Sequence, residues 1–254
     1  MVGNIQIIAL QNMPEITPST DLANEISLSA NATFGGIQDG DIVVITQKIV
    51  SKSENMIVDI REIIPSDEAI DIAKRTRKDP RLVQLILDQS KNIIRIDADR
   101  SILITETIHG FICANAGIDS SNVSGNYNVS LLPSDPNLSA RKINLQLRSI
   151  FDIKNLGVII TDTFGRPWRE GQLSFAIGSF GITPLKNYSG TVDQHGEILK
   201  VTSSPIIDVL ATSAELVSGK ATGTPVSVIR GYDFEASDSD ASIILRPVEN
   251  DLFR

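Results

Sequence analysis

Gly157-Val158-Ile159-Ile160-Thr161-Asp162-Thr163-Phe164-Gly165-Arg166-Pro167-Trp168-Arg169 changes character halfway along. Gly157 to Thr161 is a run of branched apolar residues, the pattern of a strand buried on both faces. Then come an Asp, a Thr, a Gly-containing turn, two arginines and the only tryptophan of the chain. The stretch reads as a strand that stops at Thr161 and delivers polar groups just past its carboxyl end, where ligands sit in open α/β sheets. Asp162 and Thr163 are hard oxygen donors suited to Mg²⁺ or Mn²⁺, while Arg166 and Arg169 carry forked donors for phosphate or carboxylate. A solvated turn with surface arginines is the competing reading.

Similar strand-like runs flank it: Ile5 to Leu10, Asp41 to Thr46, Ile93 to Ile96, Ile102 to Thr105 and Pro225 to Arg230. Between them lie helical signals. Ser66 followed by Asp67 and Glu68 gives a cap and an acidic first turn to a helix ending near Lys78. Asp135-Pro136 starts another, and a third spans about Pro205 to Ser218, with Gly219 as its left-handed cap. Helices interleaved with strands, plus a hairpin-like pair at Ile102 to Cys113, predict a mixed α/β (α+β) fold with mixed sheets and flanking helices. No repeat or linker divides residues 1–254, so a single domain is expected. Glu235 to Ser242, rich in Asp, Glu and Ser, reads as a mobile surface loop.

The net charge of -8 argues against nucleic acid as a partner, because phosphate backbones demand a basic surface. Any phosphate chemistry must be local. Cys113 stands alone and so forms no intramolecular disulfide. The first apolar run has no basic residue before it, and no apolar stretch approaches the roughly 20 residues that cross a bilayer. A cytoplasmic protein with no membrane partner is the expectation.

Three further segments carry candidate chemistry. Gly110 to Asn122 is rich in small residues and ends with Asp119, a metal donor, and Asn122, a base or phosphate contact. An Asx-type turn explains the same residues. Thr46-Gln47-Lys48-Ile49-Val50-Ser51-Lys52 sets two lysines four positions apart after a strand, able to neutralise nucleotide phosphates or simply to be solvated. Ser213-Ala214-Glu215-Leu216-Val217-Ser218-Gly219-Lys220 places a carboxylate near the end of an apolar helix, as a third metal ligand or a surface glutamate. His109 and His195 are too few and too separated for zinc, and no Walker or Gly-x-Gly-x-x-Gly pattern follows a strand.

In this order, Asp41 to Lys52, Cys113 to Asn122, Leu131-Leu132-Pro133, Ile160 to Arg169 and the tail Leu245 to Arg254 make the chain resemble the coenzyme F420-0:L-glutamate ligase family over essentially its whole length. That resemblance implies a family-specific fold forming an intertwined homodimer. It implies an enzyme, an acid–amino-acid ligase, in which GTP and two divalent ions (Mg²⁺ or Mn²⁺, with K⁺ a further candidate) activate the terminal carboxylate of coenzyme F420-0 as an acyl phosphate for attack by L-glutamate. By position, Asp119 and Asp162 resemble the ligands of one metal and Thr163 and Glu215 those of a second. Asn12, Met13, Pro14, Glu15, Gln47, Lys48, Lys52, Asn122 and Ser213 to Lys220 match nucleotide-contacting positions. Arg166 and Arg169 are the expected grip on the substrate carboxylate or phosphodiester. A nucleotide- and metal-binding protein without catalysis, or a metal-dependent phosphohydrolase, are the alternatives.

Two departures matter. Asn12-Met13-Pro14-Glu15 stands where many members carry Gly before Leu-Pro, and Leu173-Ser174 replaces a common Thr-Asp pair. The C-terminal flavin-binding domain of some bacterial relatives is not expected in this chain.

Overall fold

The computed structural model describes residues 3–119, 127–191, 196–198, 202–219 and 222–253. The central sheet has the order β1 (Gln6–Ala9), β12 (Val226–Arg230), β2 (Asp41–Thr46), β8 (Leu156–Arg166) and β9 (Arg169–Phe180). β2 and β8 run parallel and the other neighbours antiparallel, so the sheet is mixed as expected. Alternation sends Val43, Ile45, Val158 and Ile160 to one face, under α1 (Leu22–Phe34) and α5 (Pro136–Phe151), and Ile42, Val44 and Ile159 to the other, under α6 (Ile206–Ser218). Because both faces are covered, the middles of the parallel pair, Ile42 to Ile45 and Leu156 to Ile160, carry no polar side chain.

The remaining elements form a second layer beside this unit. α3 (Asp67–Thr76) and α4 (Pro80–Asp88) pack on a sheet of β4 (Ser90–Asp97), β5 (Ile102–Thr107) and β6 (Ile112–Ala114), with Ile72, Val83, Ile86 and Leu103 between them. β3 (Ile57–Asp59) pairs with β7 (Asn128–Ser130), and β10 (Leu185–Asn187) with β11 (Ser203–Pro205). α2 (Gln47–Ser53) leaves the end of β2 directly. Four helix starts use the side chain that sequence chemistry favours: Asp21, Ser66, Asp79 and Asp135 each accept an N–H two or three residues on, the last two followed by Pro.

Two expectations need correcting, and a third is sharpened. β8 does not stop at Thr161: its parallel partner β2 ends opposite that residue, but β8 runs on to Arg166 as a hairpin with β9. Glu235 to Asp240 is irregular, largely exposed chain, the surface loop expected, and it ends at the fully buried Ala241, where Asp240 caps a short 3₁₀ turn. Gly219 has φ 59 but ψ -175, so it is an extended positive-φ residue and not a left-handed cap.

At the opposite end of β2, the carboxylate of Asp41 is 1% exposed and is gripped by Arg230, whose Nε and Nη2 donate at 2.8 and 2.7 Å. The amide of Gln38 donates to it as well, at 2.8 Å. Deleting one partner of such a pair strands a buried charge. Arg230→Ala is expected to lower unfolding free energy by about 3 kcal/mol in urea titrations, with an unchanged dependence on denaturant.

Candidate active site

β2 and β8 end their pairing at Thr46 and Thr161, and the chain then diverges. From Thr46 it turns into α2, whose one-turn repeat puts Lys48 and Lys52 on one side. From Thr161 it continues along the hairpin. The gap between these paths, closed by the C-terminal half of α6, is a cavity of about 640 Å³. Met13, Pro14 and Glu15 form one wall, Lys48 and Lys52 another, and Thr163, Ser174 and Glu215 face them.

The charges within it are interlocked. Lys52 Nζ is 2.5 Å from Glu15 Oε1, and Lys48 Nζ is 2.7 Å from Asp119 Oδ2. Beside Asp119 lies Asp162, whose carboxyl is pushed up to about 7, chiefly by burial and then by the charge of Asp119. The N–H of Thr163, the ammonium of Lys48 and the amide of Gln47 act the other way. Gln47 is 2% exposed, accepts from Ser51 Oγ at 2.8 Å and does not reach the cavity wall. Its side-chain amide also hydrogen-bonds the carboxyl of Asp162.

The pleat separates the residues read as adjacent ligands. Thr163 pairs with Ser174 and shares the face of Thr161 and α6, whereas Asp162 pairs with Phe175 and points to the opposite face, toward Asp119. Glu215 reaches the Thr163 side through Ser174, whose N–H donates to Glu215 Oε2 at 2.9 Å. Two donor pairs therefore exist, Asp119 with Asp162 and Thr163 with Glu215, on opposite faces of β8. Lys48 touches the first and lines the cavity that holds the second.

Hard oxygen donors of this kind suit Mg²⁺ or Mn²⁺. A carboxyl driven toward neutrality by burial, and further by a second carboxylate, is relieved by a cation, so the residues fit one. Among the described residues no three His, Cys, Asp or Glu side chains cluster, and a bound ion would draw its remaining oxygens from ligand and water.

The other candidates fall as follows. Of Ser213 to Gly219, the cavity receives Ala214, Glu215, Ser218 and Gly219, one helical face. Ser213 donates back to Val209 O, while Leu216 and Val217 point outward, Leu216 at 84% exposure. Asn122 and Lys220 lie outside the described residues. Asn12 is not on the wall but has φ 58, the left-handed conformation that asparagine tolerates, and so stands in for glycine there. Arg166 and Arg169 flank the hairpin tip and are not among the residues that line the cavity, with Arg166 Nη2 donating to Glu170 O at 2.7 Å. Of the hydroxyl-bearing wall of Thr46, Thr161, Ser174, Thr224 and Ser227, sequence reasoning missed Thr224 and Ser227, because a lone hydroxyl beside or inside an apolar strand carries no distinctive signal.

Cys113, next to Asp162, is buried and its thiol is pushed up to about 12, first by burial and then by that carboxylate. The thiolate is the reactive form. Iodoacetamide at pH 8 is expected to label Cys113 only after denaturation; labelling of the folded protein as fast as free cysteine contradicts its burial.

Fold and site together define an α+β protein whose lysine- and hydroxyl-lined cavity, flanked by carboxylates, suits a large polyanion accompanied by cations. Residues 11–231 match the sequence model of the F420-0:Gamma-glutamyl ligase family. A coenzyme F420:L-glutamate ligase of Methanothermobacter thermautotrophicus is 44% identical over 98% of this chain and 99% of its own length. Proteins of the same name from Methanocaldococcus jannaschii and Methanopyrus kandleri are 42% identical over 91% of both chains and 39% identical over 100% of both. The chain belongs to the F420-0:gamma-glutamyl ligase family. Among the described residues no helix is long and apolar enough to cross a membrane.

Proposed function

We propose that the chain is a GTP- and divalent-metal-dependent ligase that joins L-glutamate to coenzyme F420-0, and to its monoglutamylated product, through γ-linkages. The observation that carries this reading is the convergence, at the Thr46 and Thr161 ends of the parallel pair, of two oxygen-donor pairs around Lys48. Sequence kinship with full-length coenzyme F420:L-glutamate ligases supports the substrates.

In the proposed reaction the terminal carboxylate of the coenzyme attacks the γ-phosphorus of GTP. A P–O bond forms, the bond to the β-phosphate oxygen breaks, and GDP leaves. The neutral amine of glutamate then attacks the acyl carbon; a C–N bond forms, the C–O bond to the phosphate breaks, inorganic phosphate leaves, and the nitrogen gives up one proton to phosphate or water. Divalent cations held by Asp119 with Asp162 and by Thr163 with Glu215 would neutralise phosphate oxygens and lower the barrier electrostatically. Lys48 and Lys52 exchange their carboxylate partners for phosphate oxygens. Gln47 holds Asp162 in orientation, and the Met13 to Glu15 loop and α6 confine the ligand. Assembly as a homodimer and a cytoplasmic location belong to the same reading.

Hydroxylamine tests the activated carboxylate. Incubation with F420-0, GTP and Mg²⁺ but no glutamate is expected to give the F420-0 hydroxamate. GTP turnover without hydroxamate points instead to hydrolysis by water.

A further inference from the structure

β9 is an outer strand of the central sheet, and an outer strand presents main-chain N–H and C=O groups that no neighbouring strand takes up. Beside the candidate site, α6 takes them up instead. Asp208, Thr212 and Glu215 recur at the spacing of one helical stripe, and each bonds the backbone of β9. Asp208 Oδ1 accepts from Ala176 N at 2.9 Å, Thr212 Oγ1 donates to Ser174 O at 3.0 Å, and Glu215 Oε2 accepts from Ser174 N at 2.9 Å. The first of these bonds sits at a bulge: Ile160 pairs with Gly178 and Thr161 with Ala176, which leaves Ile177 as the extra residue.

Ser174 is therefore held on both sides of its Cα. Its register partner on β8 is Thr163. Because the N–H and C=O of Ser174 turn to α6, the two residues form the narrow, non-hydrogen-bonded kind of antiparallel pair, with Cα atoms about 4.5 Å apart. The spacing between Thr163 and Glu215 thus runs through the main chain of one residue. Thr212 precedes Glu215 by about one helical turn and does not line the cavity, yet its hydroxyl grips that same residue from the other side. A strand edge held by one hydrogen bond can pivot about it, and a second bond removes that freedom. Groups standing behind a ligand in this way set its orientation.

We propose that Thr212 is a positioning residue for the Thr163 and Glu215 donor pair: its hydroxyl fixes the edge backbone at Ser174, and with it the spacing at which the two donors meet a divalent cation. This rests on the cation reading of that pair given above. Asp208 anchors the same stripe at the bulge, farther from the donors. The Asp119 and Asp162 pair lies on the other face of β8 and does not share this support.

Thr212→Val removes the hydroxyl at nearly constant volume, and Thr212→Ser keeps it. Mn²⁺ alone, titrated into the full chain and followed by loss of the free-ion EPR signal, reads the two donor pairs separately. In Thr212→Val one of the two Mn²⁺ dissociation constants is expected to rise about tenfold while the other holds within about twofold. In steady-state ligation the kcat of this variant should fall about tenfold with the KM for GTP within about twofold. Thr212→Ser should restore Mn²⁺ affinity and kcat to within about twofold of the unaltered chain. The proposal is overturned if Thr212→Val binds both ions as the unaltered chain does, even with a lowered Tm, since that is a structural role only. It is overturned equally if both ions weaken together, or if the serine variant is as impaired as the valine one. If the unaltered chain binds fewer than two Mn²⁺, or Glu215→Gln leaves both constants unchanged, the cation reading of the pair falls first and the role of Thr212 with it.

Discussion

Asp162→Asn is expected to reduce kcat/KM for ligation at least about a thousandfold, and at the same time to stabilise the metal-free protein at pH 8. The loss follows from removing one of the two carboxylates beside Lys48, so that an amide replaces a charged donor. The gain follows from burial. In the unfolded chain the carboxyl titrates at 3.8 and in the folded protein at about 7. Between those values the unfolded state has released its proton and the folded state has not, so stability falls as pH rises across that window and is level above it. The shift corresponds to at most about 4 kcal/mol, and partial access of water reduces this to about 2 kcal/mol. Asparagine has no charge to desolvate. The Tm difference between variant and unaltered protein should be near zero below about pH 4 and about 5 °C at pH 8. A variant no more stable than its parent at pH 8 contradicts the strained carboxyl; one that ligates at a normal rate contradicts its role.

Lys48→Met should cost about a hundredfold or more in kcat/KM for GTP, against about tenfold for Lys52→Met. Lys48 is tied to Asp119 and acts on Asp162, and it lines the cavity as well. Among the described residues Lys52 pairs with Glu15, whose side chain is 76% exposed and readily yields to a phosphate. Methionine keeps much of the buried stem, so packing changes little. Steady-state kinetics with each substrate varied in turn separates the two variants. Equal losses, or a Lys48→Met enzyme within threefold of its parent, would remove Lys48 from the centre of the site.

The strand Asp41 to Thr46 was legible to the residue, because an apolar run between Gly40 and a polar stretch has one reading when both faces are buried. The end of β8 was not. Its hydrophobicity falls after Thr161 because its side chains there face the site, while backbone pairing with β9 continues and leaves no trace in composition. α1 was invisible for the opposite reason. Leu22 to Phe34 is rich in Asn, Ser and Thr, which favour turns, and it is helical because Leu22, Ala23, Ile26 and Ala30 pack into the core. α2 read as a strand end since it is short and its cap, Thr46, makes no side-chain hydrogen bond.

The site was legible in its chemistry and not in its geometry. Asp119, Asp162, Lys48, Thr163 and Glu215 do converge around one strand end, but only the register shows that Asp162 and Thr163 act on opposite faces. The unusual N-terminal loop became intelligible through one dihedral, the left-handed Asn12. Leu173-Ser174 has a concrete consequence too. Ser174 sits on the cavity wall and gives its N–H to Glu215, so the wall there is a hydroxyl where many members place a carboxylate.

The central claim is that this site spends GTP to form an amide between F420-0 and glutamate. Mass spectrometry of F420-0 incubated with the protein, GTP, Mg²⁺ or Mn²⁺ and L-glutamate tests it most directly. The account predicts a product heavier by one or more glutamyl residues, absent when GTP, metal or glutamate is withheld. GTP consumption that ignores glutamate and leaves F420-0 unchanged would contradict it.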